Sequence, residues 1–251
     1  MRGLKKMMGF SLLVVSSVHA AKFETTSPSR VIADQFIMSF SGGAAWGLSG
    51  DAHTFNLDPN VCRTFTASDS NQPMAIGEFF IGEQRALTPR FQGALGLAFG
   101  ITSGLKRTGD IWEQANPNFD HYTYEYSIKH QYISVKGKLL GEPLRYSLSP
   151  YGTLSLGLGF NEASDYRSTP KIEEASELLP FKKHTHRSFT YALGVGLQSA
   201  LNSTWSVGVG YEFADIGKNQ LGPADDQTFN RGISLNHLYT NSALISLTYL
   251  G

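Results

Sequence analysis

Apolar and small or polar residues alternate along much of this chain with a period of two. Phe91, Gly93, Leu95, Leu97, Phe99 and Ile101 interleave with Gln92, Ala94, Gly96, Ala98 and Gly100. The same alternation returns over 152–160, 189–197 and 205–213. Successive side chains of a strand point to opposite faces, so each run builds a ribbon with one greasy face and one small, polar face. The small face carries Gly, Ser, Ala and Thr and is nearly free of Lys and Glu. A sheet with one face in water usually places charges there. Hydrocarbon against the greasy face and a crowded interior behind the other fit better.

Eight strands follow from this pattern, over 35–46, 74–84, 91–101, 122–139, 150–160, 188–197, 205–213 and 239–249. A tilted membrane strand needs about 9–11 residues, and these comply. The connections alternate in length. Those over 83–90, 140–149 and 198–204 are short and carry turn residues such as Thr88-Pro89, Gly141-Glu142-Pro143 and Asn202-Ser203. Those over 47–73, 102–121, 161–187 and 214–238 are long and polar. The sequence therefore predicts an all-β fold, an eight-stranded antiparallel up-and-down transmembrane β-barrel with short periplasmic turns and long extracellular loops.

Aromatic residues on the greasy parity gather at the strand ends. Phe36, Phe91, Trp205 and Tyr249 lie at one end; Trp46, Phe99, Tyr124, Phe160, Tyr211 and Phe213 lie toward the other. Two aromatic girdles at the two interfaces are the arrangement a membrane barrel calls for. Two strands disturb the pattern. Over 122–128 the apolar residues occupy even positions, and over 133–139 odd ones, which predicts a β-bulge near 130–132. In the second strand Phe79 and Phe80 are adjacent; Phe79 and Ile81 are assigned outward and Phe80 to the lumen.

Inward parity collects Glu78, Glu125, Lys129, Lys136, Lys138 and Glu212. Charges in a small barrel cannot sit alone, because desolvation costs several kcal/mol per ion unless the ions pair. A polar network across the lumen is predicted, with Glu78 facing Lys136 near mid-depth. Eight strands leave an interior just wide enough for side chains, so a wide diffusion pore is disfavoured.

The N-terminus reads as a cleaved signal peptide over 1–20: Arg2, Lys5 and Lys6, a short apolar run, then Val18-His19-Ala20. A flexible leader over 21–33 precedes the barrel, which fills 34–251. The whole chain has 21 basic and 21 acidic residues. Without the three basic residues of the signal, 18 face 21, a net charge of −3, which offers nothing to a nucleic acid. The lone Cys62 cannot make an internal disulfide.

Candidate chemistry is sparse. His184 and His186 could share a metal but lack a third ligand at suitable spacing. Asp51 with His53, and His237 with Ser242, are loose pairs without a defined nucleophile, base and orienting group. No catalytic, cofactor or metal site is assigned. The long connections carry Asp110, Glu113, Asp120, Glu173, Glu174, Glu177, Asp225 and Asp226 beside Trp112 and Phe119, a composition suited to surface recognition.

With its signal peptide, Ser41-Gly42-Gly43-Ala44-Ala45-Trp46, Tyr132-Ile133-Ser134-Val135-Lys136-Gly137 and the final strand, the chain resembles the small outer-membrane β-barrel superfamily of outer-membrane protein A-like, opacity-like and X-like proteins. The resemblance implies residence in the outer membrane of a Gram-negative bacterium, among its lipid and lipopolysaccharide. It implies insertion by the barrel assembly machinery, which reads a terminal strand; here Ile245, Leu247 and Tyr249 supply the signal, followed by Leu250-Gly251. It implies adhesins, surface structural proteins or small channels, some of them virulence factors. The leading expectation is a non-enzymatic surface barrel whose extracellular loops meet host or envelope ligands. The alternatives are a narrow channel for ions or small apolar compounds and a lipid-A-modifying enzyme.

Overall fold

The computed structural model describes residues 34–48, 53–58, 61–66, 68, 72–114, 116–144, 147–172, 178–225 and 232–251, with 53–58 and 61–62 by backbone alone. The expected signal peptide and leader, Asp51 and the side chains of His53 and Cys62 lie outside this description. So do Glu173, Glu174, Glu177 and Asp226.

Among the described residues the strands are β1 (Gln35–Gly47), β2 (His53–Asp58), β3 (Val61–Phe65), β4 (Met74–Thr88), β5 (Phe91–Thr102) and β6 (Leu105–Glu113). After a single 3-10 turn at Pro117–Phe119 come β7 (Asp120–Gly141), β8 (Leu148–Pro170), β9 (His184–Ala200), β10 (Trp205–Asp215), β11 (Asn219–Gln220), β12 (Ser234–Leu235) and β13 (Tyr239–Leu250). Eight of them form a closed ring in the order β7-β5-β4-β1-β13-β10-β9-β8, with β8 pairing back onto β7. Every pairing in the ring is antiparallel. Closure leaves no unpaired edge, which a strand in hydrocarbon requires. The ring strands are the eight that the alternation predicts.

The short turns are closed by local side-chain bonds. Thr88 Oγ1 accepts from the backbone of Arg90 and Phe91 at 3.3 and 3.1 Å. Asn202 Oδ1 accepts from Thr204 and Trp205 at 2.8 and 2.7 Å. Hydroxyl and amide side chains that bond the backbone two or three residues on favour such turns.

The outward face of the ring is apolar and open: Phe40, Leu95, Val195 and Ile245 are each more than 60% exposed. In water that face would be a large aggregation-prone surface; in hydrocarbon it is the correct solvent contact.

The long connections are built structure more than loop. β7, β8 and β9 run well past the apolar band, and β6 follows β5 after only Ser103 and Gly104. Ile101 pairs with Gln131 and Leu105 with Ile128. One extra residue is therefore accommodated between β5 and β6, and β6 continues the same edge of β7. β3 adds to β6 and β2 to β3, so the same sheet extends beyond one end of the barrel.

This head has its own core. Phe65, Leu105, Ile111, Tyr122, Tyr124, Tyr126, Ile128, Tyr166, Phe181, Leu221, Ile233 and Leu238 are buried together. The predicted bulge at 130–132 is absent: β7 keeps an unbroken register with β5 over 131–141 and with β8 over 127–140. The irregularity lies higher, where Glu125 pairs with Arg167 and Ser127 with Ser164, so the extra residue is in β8; Asp165 there takes φ 58°. Nothing shifts phase within β7. What changes near His130 is the surroundings. Beside the barrel hydrocarbon lies outside, so apolar side chains turn outward; in the head water lies outside, so they turn inward.

Candidate functional site

An ion triad spans the lumen at mid-barrel. Lys136 Nζ of β7 donates to Glu78 Oε1 of β4 at 2.6 Å and to Glu212 Oε2 of β10 at 3.3 Å. All three side chains are about nine-tenths or more buried. Around the ring the three strands stand two, three and three positions apart, so one ammonium braces three separate sectors of the wall. Tyr132 donates its hydroxyl to the other oxygen of Glu78 at 2.7 Å. Lys138 bonds Gln198 Oε1 and lies 4.4 Å from the centre of the Tyr151 ring. Gln198 donates onward to Ser206 at 2.7 Å. Two ammonium groups and two carboxylates leave this layer formally neutral, and its hydrogen bonds replace lost water.

Glycines let strands and luminal side chains approach closely around this layer. Gly82 and Gly96 face each other across β4 and β5, and a Cβ on either would stand 2.3 or 2.1 Å from a backbone carbonyl. A Cβ on Gly100 would stand 2.2 Å from the Tyr132 ring. The small cavity that remains beside the triad is lined by Ser39, Ser41, Thr153 and Ser246 together with Ile37, Phe80 and Leu244.

Of the luminal residues expected from sequence, Glu78, Lys136, Lys138 and Glu212 face the lumen. Glu125 and Lys129 do not. They occupy odd positions of β7, opposite in parity to buried Tyr124, Tyr126, Ile128 and His130, and Lys129 is exposed. The prediction failed because it placed the greasy face outward above the membrane, where water reverses it. Tyr124 falls with the same error: it is buried in the head, its hydroxyl bonding Thr66 O at 2.7 Å, and is not a girdle residue. Phe36, Trp46, Phe91, Phe99, Phe160, Trp205 and Tyr211 are outward and exposed. Phe213 and Tyr249 are outward and half-buried, against Tyr239 and Trp205 respectively. Ile245, Leu247 and Tyr249 lie on the outer face of β13, the strand that closes the barrel against β1.

The head contains Asp110, Glu113, Asp120 and Asp225, carboxylates expected to serve surface recognition. Asp110 and Asp120 both bind Lys171, at 2.8 and 2.5 Å. Glu113 meets Arg63 at 3.5 Å and His121 at 3.4 Å, and Asp225 binds Lys182. These carboxylates knit the head together. Burial pushes the hydroxyls of Tyr124, Tyr126 and Tyr166 well above the ordinary phenol range. Arg107 is buried among them and donates to Leu48 O at 3.0 Å.

His237 Nδ1 lies 2.7 Å from Asp215 Oδ2, whose other oxygen accepts from Gly217 N at 2.8 Å. Ser242 is buried and makes no hydrogen bond to His237. His184 and His186 share one face of β9, and among the described residues no third ligand joins them. Sequence reasoning overlooked Tyr132, Tyr151 and Gln198 as luminal partners, although their inward parity was available to find them.

Residues 10–239 match the family model of the outer membrane protein beta-barrel domain. No curated protein matches the chain. Solved structures similar to it include Neisserial surface protein A, with 12% identity, 85% of this chain and 96% of that one covered, and TM-score 0.43. The outer membrane protease OmpT from Escherichia coli shows 11% identity, 86% and 97% coverage, and TM-score 0.47. OprG from Pseudomonas aeruginosa shows 14% identity, 88% and 97% coverage, and TM-score 0.41. With a closed eight-stranded ring, an apolar outer band and a family match over most of its length, the chain belongs to the outer membrane protein β-barrel domain family, whose members stand in the outer membrane of Gram-negative bacteria.

Proposed function

We propose that this barrel is a non-enzymatic surface protein whose extracellular head meets host molecules or neighbouring envelope components. The observation that supports the reading is the head itself. A sheet extension and a buried aromatic cluster hold a defined surface outside the membrane, far more structure than the joining of adjacent strands requires. A rigid scaffold that displays such a surface is a common basis for recognition. On the same reading the signal peptide over 1–20 is cleaved and the leader over 21–33 stays ahead of the barrel, and the barrel assembly machinery recognises Ile245, Leu247 and Tyr249 on the last strand.

Deleting residues 53–65, which removes the β2–β3 hairpin while leaving the ring strands, tests it. Binding of the purified protein to host cells and to isolated envelopes should drop while the barrel still migrates anomalously on unheated denaturing gels. Undiminished binding by that variant would remove the reading.

A second reading, a narrow channel, draws on the small cavity beside Lys136. The bracing of Lys136 by two carboxylates argues for a closed lumen instead. Single-channel recording in planar bilayers separates them: resolved conductance steps in the wild type, lost or altered in Lys136→Ala, would establish the channel.

A further inference from the structure

The outward face of the barrel changes character abruptly at its extracellular end, on one side only. Along β7 the outward positions are Leu139, Val135 and Ile133, then Gln131 and Lys129. Along β8 they are Leu154, Leu156, Leu158 and Phe160, then Glu162; along β9, Leu193 and Phe189, then Arg187. Lys129 pairs in register with Glu162, and Phe160 with Arg187 one step lower. Lys106 of β6 stands opposite Ser127, one step higher. From Leu139 to Lys129 a tilted strand climbs about 25 Å, the height of the apolar band of such barrels. The cations therefore begin at the headgroup plane of the outer leaflet.

Lys106, Lys129 and Arg187 are exposed, and none forms an ion pair among the described residues. Arg167 stands higher on the same face, opposite Glu125. Glu162 is occupied by Lys183 at 2.8 Å and Asp110 by Lys171, and the other carboxylates among the described residues of this face are Glu125 and Asp165. The Arg187 guanidinium lies 5.8 Å from the centre of the Phe160 ring, which holds it at the interface. Across the barrel, at the same end, the outward residues of β10, β13 and β1 are Tyr211, Phe213, Tyr239, Asn241 and Trp46, with no cation. Membrane anchoring alone needs the aromatic ring but no one-sided group of unpaired cations.

We propose that Lys106, Lys129 and Arg187 form a lateral binding site for the phosphates of an anionic glycolipid of the outer leaflet, of lipid A chemistry, whose acyl chains lie along Leu158, Phe160 and Phe189. The lipid source follows from place: these side chains point sideways into the plane where lipid phosphates are concentrated. The site rests on the position of the barrel in the membrane and not on the proposed contact of the head with outside ligands.

The test uses the full chain in phosphatidylcholine nanodiscs doped with bisphosphorylated lipid A, with retained lipid counted by native mass spectrometry. Wild type should retain lipid A selectively, and inorganic phosphate should not displace it. Lys106→Gln/Lys129→Gln/Arg187→Gln should lower retention about tenfold, the loss of three exposed charge contacts. Arg85→Gln/Arg90→Gln at the opposite rim should leave it unchanged. The single variants Lys129→Gln and Arg187→Gln, both at exposed positions, carry the test where the triple variant does not fold. Equal retention by the charge-neutralised variants, or displacement of the lipid by inorganic phosphate, overturns the site. Head-dependent cell binding should survive these substitutions, so failure of either reading leaves the other standing.

Discussion

Lys136 and Glu78 meet in the lumen at 2.6 Å although β5 stands between their strands. With Glu212 at 3.3 Å on the same ammonium, the contact ties the wall to itself independently of the backbone ladder. Removing the cation leaves two buried carboxylates facing one another. Breaking a buried pair from one side costs about 3–5 kcal/mol. Lys136→Met should therefore lower unfolding stability by that amount, read from urea titrations in lipid vesicles followed by tryptophan emission. A change below about 1 kcal/mol would mean water already solvates the triad.

Tyr132 and Gly100 form the second support of Glu78. The ring of Tyr132 fits against β5 because Gly100 has no Cβ, and its hydroxyl then reaches the carboxylate. Gly100→Ala must displace the ring. The loss should be about 1–3 kcal/mol, part steric and part the missing hydrogen bond to a charged group. Tyr132→Ala should make Gly100→Ala nearly neutral, because the clash and the bond are then both gone. Additive losses in that double-mutant cycle would show that Gly100 acts through something other than Tyr132.

The barrel is legible in the sequence because hydrocarbon outside and a packed lumen inside impose one rule on every strand: odd and even positions differ. That rule predicts the eight ring strands, and with the cost of unpaired luminal charge it selects Glu78 and Lys136 as partners. It fails at Glu125, Lys129 and Tyr124 for a physical reason. The rule has a sign, set by the surrounding solvent, and β7 crosses from lipid to water without a break in its pairing to β8. Periodicity reports that two faces differ; it does not report which face is inside. The head looks like loops in the sequence because its strands alternate with Asp, Lys and Gly. The partners that make those residues structural, Lys171 for Asp110 and Asp120, are distant in sequence.

The head should melt apart from the barrel. Tyr126 is buried at its centre beside Tyr124, and truncating a buried aromatic costs about 3–5 kcal/mol. That cost falls on a cluster whose contacts lie beyond the apolar band, so local opening is the cheaper response. Tyr126→Ala should make intact cells sensitive to added protease within the connections around β2, β3 and β6. The heat-dependent gel shift of the barrel should persist. Simultaneous loss of the gel shift would show that head and barrel fold as one cooperative unit.

Lys171 gives the head a defined response to alkali. Its hydrogen bonds to Asp110 and Asp120 raise its pKa above the ordinary lysine value of 10.5. A raised pKa on a basic group means that the folded state holds the proton more tightly than the unfolded one. The stabilisation is therefore complete below 10.5 and disappears only as pH rises through the higher folded value. The side chain is a third exposed, so solvent and salt weaken the effect. Side-chain carbon shifts of Lys171 in the micelle-bound protein should titrate above those of the exposed lysines. Asp110→Asn/Asp120→Asn should bring the titration down to the common lysine value, since both acceptors of the charged form are then neutral. A titration at the common value in the wild type would mean that the two carboxylates do not hold the ammonium in solution, and the upper ends of β6, β7 and β8 would then owe their order to the apolar core alone.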